Sequence, residues 1–83
     1  MNMYQQIDQC KASKETINLS KKISNLLTLT PKSIRSKDGH IIFDYGHSIA
    51  IDVISPLVFF QDKKTKYKVD KIDRLQNALR RVT

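Results

Sequence analysis

From Ile7 to Leu29 the chain has no glycine or proline, and its apolar residues recur at helical spacing. Ile7, Cys10 and Ile17 fit one stripe, and Leu19, Ile23 and Leu26, with Thr30, fit a second that overlaps it. Ser13 stands where an N-cap belongs, and Glu15 follows it near the positive end of a helix. The pattern predicts a helix over residues 14–27, with 2–12 either an extension of it or a loose arm. Pro31 disfavours a helical Thr30 and ends the element.

After the turn signal Lys37-Asp38-Gly39 the period changes from helical to alternating. Ile41, Phe43 and Tyr45 share one side of a strand, and Ile49, Ile51 and Val53 share one side of the next. Gly46, His47 and Ser48 turn the chain between them. Ser55-Pro56 closes the second strand, because proline cannot donate to a central ladder. Leu57 to Phe60 is a third apolar run, buried on both sides or paired centrally. Connections this short imply an antiparallel meander, since parallel strands need crossovers of about a dozen residues.

Residues 62–68 form a basic loop or an extended strand end. Asp70 is placed as an N-cap with Asp73 three positions on, a variant of the capping box. Ile72, Leu75, Leu79 and Val82 then mark the buried stripe of a last helix, with Arg74, Asn77 and Arg81 on its other face. The expected architecture is α+β in the order α-β-β-β-α. A three-stranded antiparallel sheet carries two helices packed on one face, in a single domain over residues 1–83.

Composition narrows the class. Eighty-three residues at 40% hydrophobic content support one thin core and exceed what a disordered chain carries. No apolar run approaches the roughly 20 residues that span a bilayer, and the polar first residues do not read as a secretory signal. Cys10 is the one cysteine, so no internal disulfide forms, and a reducing, cytoplasmic setting is expected. Its place on an apolar stripe suggests a buried, inert thiol.

Charge carries the functional signal. The net charge is +7, and of fifteen Lys and Arg residues Lys63, Lys64, Lys66, Lys68, Lys71, Arg74, Arg80 and Arg81 fall beyond residue 62. Asp70 and Asp73 alone oppose them there. Cations gathered on one segment raise the local potential and attract polyanions. Tyr67 among the lysines offers a ring that could stack on a base. A second cluster, Lys32, Arg35 and Lys37, precedes the first expected strand, and the two clusters could meet at one end of the sheet. The helices are separated by the whole sheet, which is unlike a helix-turn-helix. Structured RNA, recognised by shape and backbone, is the expected ligand. Lys32, Arg35, Lys37, Lys63, Lys64, Lys66, Tyr67, Lys68, Lys71, Arg74 and Arg81 are its candidate contacts.

Other chemistry is weakly represented. Glu15 is the sole glutamate. Asp44 and Asp52 on neighbouring strands could pair around a divalent ion, but nothing accompanies them at a motif spacing. His40, Asp44 and His47 include zinc-ligand types, yet the two histidines sit at opposite ends of a strand, about 20 Å apart if it is straight. Neither Gly39 nor Gly46 opens a helix, so there is no phosphate-cradling loop. The chain is expected to be non-enzymatic, with no cofactor, metal or small-molecule substrate.

Leu57-Val58-Phe59-Phe60, the Lys64-Thr65 turn, then Val69, Lys71, Ile72 and Leu79 resemble the corresponding part of the small Alu-domain proteins of the eukaryotic signal recognition particle. Ile41 to Tyr45 departs from that family's pattern in carrying no basic residue. The resemblance implies a helix, a three-stranded sheet and a helix. It also implies a dimer with a sister subunit whose joined sheets grip folded RNA, in a ribonucleoprotein that slows translation. The competing reading is a small adaptor or inhibitor, for example from a phage or mobile element, that docks on a protein. Apolar Ile42 and Ile54, opposite the main stripes, would suit such an interface or a homodimer.

Overall fold

The protein is described by a computed structural model, which covers residues 2–27, 30–46, 49–61 and 66–69. Among these residues the order is α1 (Met3–Asp8), α2 (Lys14–Leu26), β1 (Ser33–Lys37), β2 (His40–Gly46), β3 (Ile49–Ile54), β4 (Leu57–Gln61) and β5 (Lys66–Val69). The strands form one antiparallel sheet in sequence order, β1-β2-β3-β4-β5. The α+β class and the antiparallel meander agree with the sequence. The strand count does not: the sheet has five strands and not three.

Both added strands lie at the sheet edges. β1 reads Ser-Ile-Arg-Ser-Lys, with Ile34 its single apolar residue, so hydrophobic alternation barely registers in it. What makes it a strand is the hairpin that follows. Asp38 and Gly39 adopt φ values of 54° and 83°, and Lys37 pairs with His40. Two successive positive φ angles mark the tight turn whose twist matches a two-residue hairpin. The turn signal thus specified a strand on both of its sides.

Residues 2–12 are neither an extension of the following helix nor a loose arm. Asn2 caps α1 by accepting from the Gln5 N–H, while the Gln5 side chain accepts from the Asn2 N–H. This reciprocal pair satisfies two donors that a helix start leaves orphaned. Ile7 then enters the core fully buried. Ser13 caps α2 as its sequence suggests, its hydroxyl accepting from the Thr16 N–H. Lys21 on α2 reaches Asp8 on α1 at 2.6 Å, a half-exposed pair of small energetic weight.

Ile7 and Ile23 from the helices close over Ile41, Phe43, Tyr45, Ile51, Val53, Val58 and Phe60 from the sheet. α1 lies against β1, and α2 lies against β2 and β3. The two described helices therefore share one face, but both precede the sheet. The helix expected from Ile72, Leu75, Leu79 and Val82 lies outside the described residues. Two leading helices and five strands also differ from the helix, three strands and helix implied by the family resemblance.

Candidate nucleic-acid interface

Strand alternation sorts the sheet into two faces, and the register fixes which residues line up across it. One row on the core side runs Ile34, Phe43, Ile51, Phe60 and Tyr67. The row beside it on the opposite, outer side runs Arg35, Ile42, Asp52, Phe59 and Lys68. A second outer row runs Ser33, Asp44, Ala50, Gln61 and Lys66. α1 and α2 are both on the core side, and no other described element packs on the outer face.

The described members of the two basic clusters stand on opposite edges of the sheet. Arg35 and Lys37 do not precede the first strand; they belong to it, on one edge of the sheet. Lys66 and Lys68 belong to β5, on the other edge. Four strand spacings, roughly 19 Å, separate the edges. Among the described residues the sheet face therefore has cationic positions at both margins. Lys63, Lys64, Lys71, Arg74 and Arg81 lie outside the described residues. Tyr67 pairs with Phe60, one register position from both Lys66 and Lys68.

Phe59 is the aromatic residue that shares a row with Lys68, and sequence reasoning assigned it no role. Val58 and Phe60 are buried in the core, while Leu57 and Phe59 are only half-buried. One run of four apolar residues therefore serves both faces. Ile42, Ile54, Leu57 and Phe59 put apolar side chains on the outer face, with Asp44 and Asp52 set among them.

Polar groups on this face are held by local partners. Arg35 approaches Asp44 at 3.9 Å, a long ion pair, with its side chain 62% exposed. Such a contact contributes little and leaves most of the guanidinium hydrated. Asp44 also accepts from the Gly46 N–H at 2.8 Å, which pins the bulge where β2 and β3 shift register. Across the same two strands His40 Nδ1 lies 2.6 Å from Asp52 Oδ1. Asp44 and Asp52 fall in different rows with different partners, an arrangement unlike a shared ion site.

Lys32 stands just before β1, where its N–H donates to the Asp44 carbonyl at 2.7 Å. Its side chain runs over Gly46, where an added Cβ would lie 2.9 Å from the Lys32 Nζ. Gly46 is thus needed twice, for its φ of 70° and for the room it leaves Lys32. Ser36, on the core side of β1, accepts from the Lys11 N–H at 3.2 Å and ties the edge strand to the interhelical connection.

Outside this face the chemistry is sparse. Cys10 is half-buried, its thiol donating to the Gln6 carbonyl, and burial pushes its pKa up. That disfavours the thiolate a nucleophile needs. Among the described residues no three His, Cys, Asp or Glu side chains converge as metal ligands do, and His47 lies outside them. Nor is any described helix long and apolar enough to cross a membrane. Comparison with protein-family models, with curated proteins and with solved structures finds no match.

Proposed function

We propose that this protein is a small, non-enzymatic RNA-binding module of the cytoplasm that grips its ligand with the outer face of the sheet. The observation that carries the reading is the register itself. Arg35 and Lys37 occupy one margin of a face whose other margin holds the positions of Lys66 and Lys68. Cations set apart across a surface can engage phosphates on two sides of a nucleic acid and fix its orientation. A net charge of +7 adds long-range attraction.

The test is fluorescence anisotropy with a labelled RNA hairpin that carries a single-stranded loop. Binding at micromolar protein in about 50 mM salt, weakening steeply as salt rises, is the expected result. Changing Lys63, Lys64, Lys66 and Lys68 together to Ala weakens it further without unfolding the protein. Absence of binding at low salt defeats the proposal.

A second reading is favoured by one observation, the half-buried Ile42, Ile54, Leu57 and Phe59 at the centre of the face. An adaptor or inhibitor docking there on a protein would bind almost independently of salt, which separates it from the first. A dimer, homo- or hetero-, fits either reading along a sheet edge. Stacking two such faces in an aligned, two-fold arrangement sets cationic margin against cationic margin. Pairing with a sister subunit, as in the signal recognition particle, is the narrower form of the RNA proposal and rests on the sequence resemblance alone.

A further inference from the structure

We infer that the occupant of the outer face is an unpaired stretch of nucleotides, with bases over Ile42 and Phe59 and phosphates toward the two margins. The inference deepens the RNA-binding proposal and rests on it. Its own basis is the order of chemistry across the sheet. Read along one row, the face is cationic at Arg35, apolar at Ile42, acidic at Asp52, aromatic at Phe59 and cationic again at the position of Lys68.

A duplex presents phosphates and sugars on its outside and keeps its base faces stacked within. Laid on this sheet, it would bring phosphate oxygens toward the Asp44 and Asp52 carboxylates and hydrate nothing better than it already is. It would also leave Phe59 and Ile42 facing water. An unpaired strand offers both kinds of surface at once. Its bases have flat apolar faces that every sequence supplies, and these match the Phe59 ring and, two strands away beyond Asp52, the Ile42 side chain. Its phosphates can swing outward, away from the central carboxylates and toward Arg35, Lys37 and the β5 margin. A sheet of this width seats about two or three stacked bases. The same layout disfavours a second copy of the chain, whose margins would repel.

The experiment compares two labelled RNA probes of one pyrimidine-rich sequence, about twelve nucleotides long. One is single-stranded and the other is annealed to its complement. The wild-type protein is expected to bind the single strand roughly tenfold more tightly, the size of one base–aromatic stack. Phe59→Leu keeps an apolar side chain but removes the ring, and is expected to abolish most of that preference. Phe59→Tyr is expected to keep it. Equal or tighter binding of the duplex overturns this inference and leaves the RNA-binding proposal standing. Full preference retained in a folded Phe59→Leu variant also overturns it. Failure to bind either probe overturns both and favours the protein-docking reading. The wild-type comparison decides the matter even if the Leu variant does not fold.

Discussion

Thr16 and Ser55, 39 positions apart in the chain, are joined by a hydrogen bond in which the Ser55 N–H donates to the Thr16 hydroxyl oxygen at 3.1 Å. The same oxygen accepts from the Ser13 hydroxyl at 2.9 Å, so the first turn of α2 and the β3–β4 turn are fastened at one point. Thr16 is 1% exposed and Ser55 half-buried, so the contact is largely shielded from water. Substitution of Thr16 by Val preserves shape but leaves the Ser55 N–H without its acceptor. An unsatisfied buried donor costs about 1–3 kcal/mol. Urea denaturation of Thr16→Val is expected to show a loss of that size with an unchanged m-value.

Tyr45 tests burial from the opposite direction. It is 8% exposed, and among the described residues its hydroxyl has no hydrogen-bond partner. Phenylalanine at this position should stabilise the fold by about 1 kcal/mol, because it removes an unpaired polar atom from the interior. Desolvation also pushes the Tyr45 pKa up from 10 to about 12. The folded state therefore holds its proton where the unfolded state releases it. The corresponding stability is present in full below pH 10 and is lost as pH rises toward about 12. Urea midpoints at pH 8 and pH 11 should converge for Tyr45→Phe relative to wild type, after the shared lysine titration is subtracted. Parallel losses in both proteins would contradict this.

Gly39 and Gly46 both have positive φ, at 83° and 70°, but differ in their surroundings. An added Cβ meets nothing within 4 Å at Gly39, whereas at Gly46 it meets the Lys32 side chain. Gly39→Ala should cost about 1–2 kcal/mol, from backbone strain alone. Gly46→Ala should cost that plus a displaced Lys32, visible as a larger change in denaturation midpoint. The end of Lys32 is flexible, so the excess should be small. Equal tolerance of both substitutions would mean that the turns relax.

Much of this architecture was legible because it follows from strong local chemistry. Ser13 marked the start of α2, Lys37-Asp38-Gly39 the turn that precedes β2, and the alternation of Ile41, Phe43 and Tyr45 the buried side of β2. The parts that escaped were polar or short. β1 has Ile34 as its one apolar residue, and its partner contacts lie across a turn and in the Lys11–Ser36 hydrogen bond, which sequence spacing does not show. α1 is six residues long, too short for a periodic stripe, and its evidence was the Asn2 and Gln5 pair three positions apart. The candidate site was legible only in its composition. That Arg35 and Lys68 stand at opposite margins of one row depends on the register of every intervening strand. Adding β1 and β5 to the sheet is what sets Arg35 and Lys37 across its width from the positions of Lys66 and Lys68.

The most direct measurement of the central claim is the slope of log affinity against log salt for RNA binding, taken for three proteins. These are the wild type, a β1 variant with Arg35→Ala and Lys37→Ala, and a β5 variant with Lys66→Ala and Lys68→Ala. Each lost phosphate contact should reduce the slope by about 1, so both variants are expected to fall by up to about 2 relative to wild type. A reduction confined to the β5 variant, with the β1 variant indistinguishable from wild type, would contradict a grip shared between the two edges of the sheet.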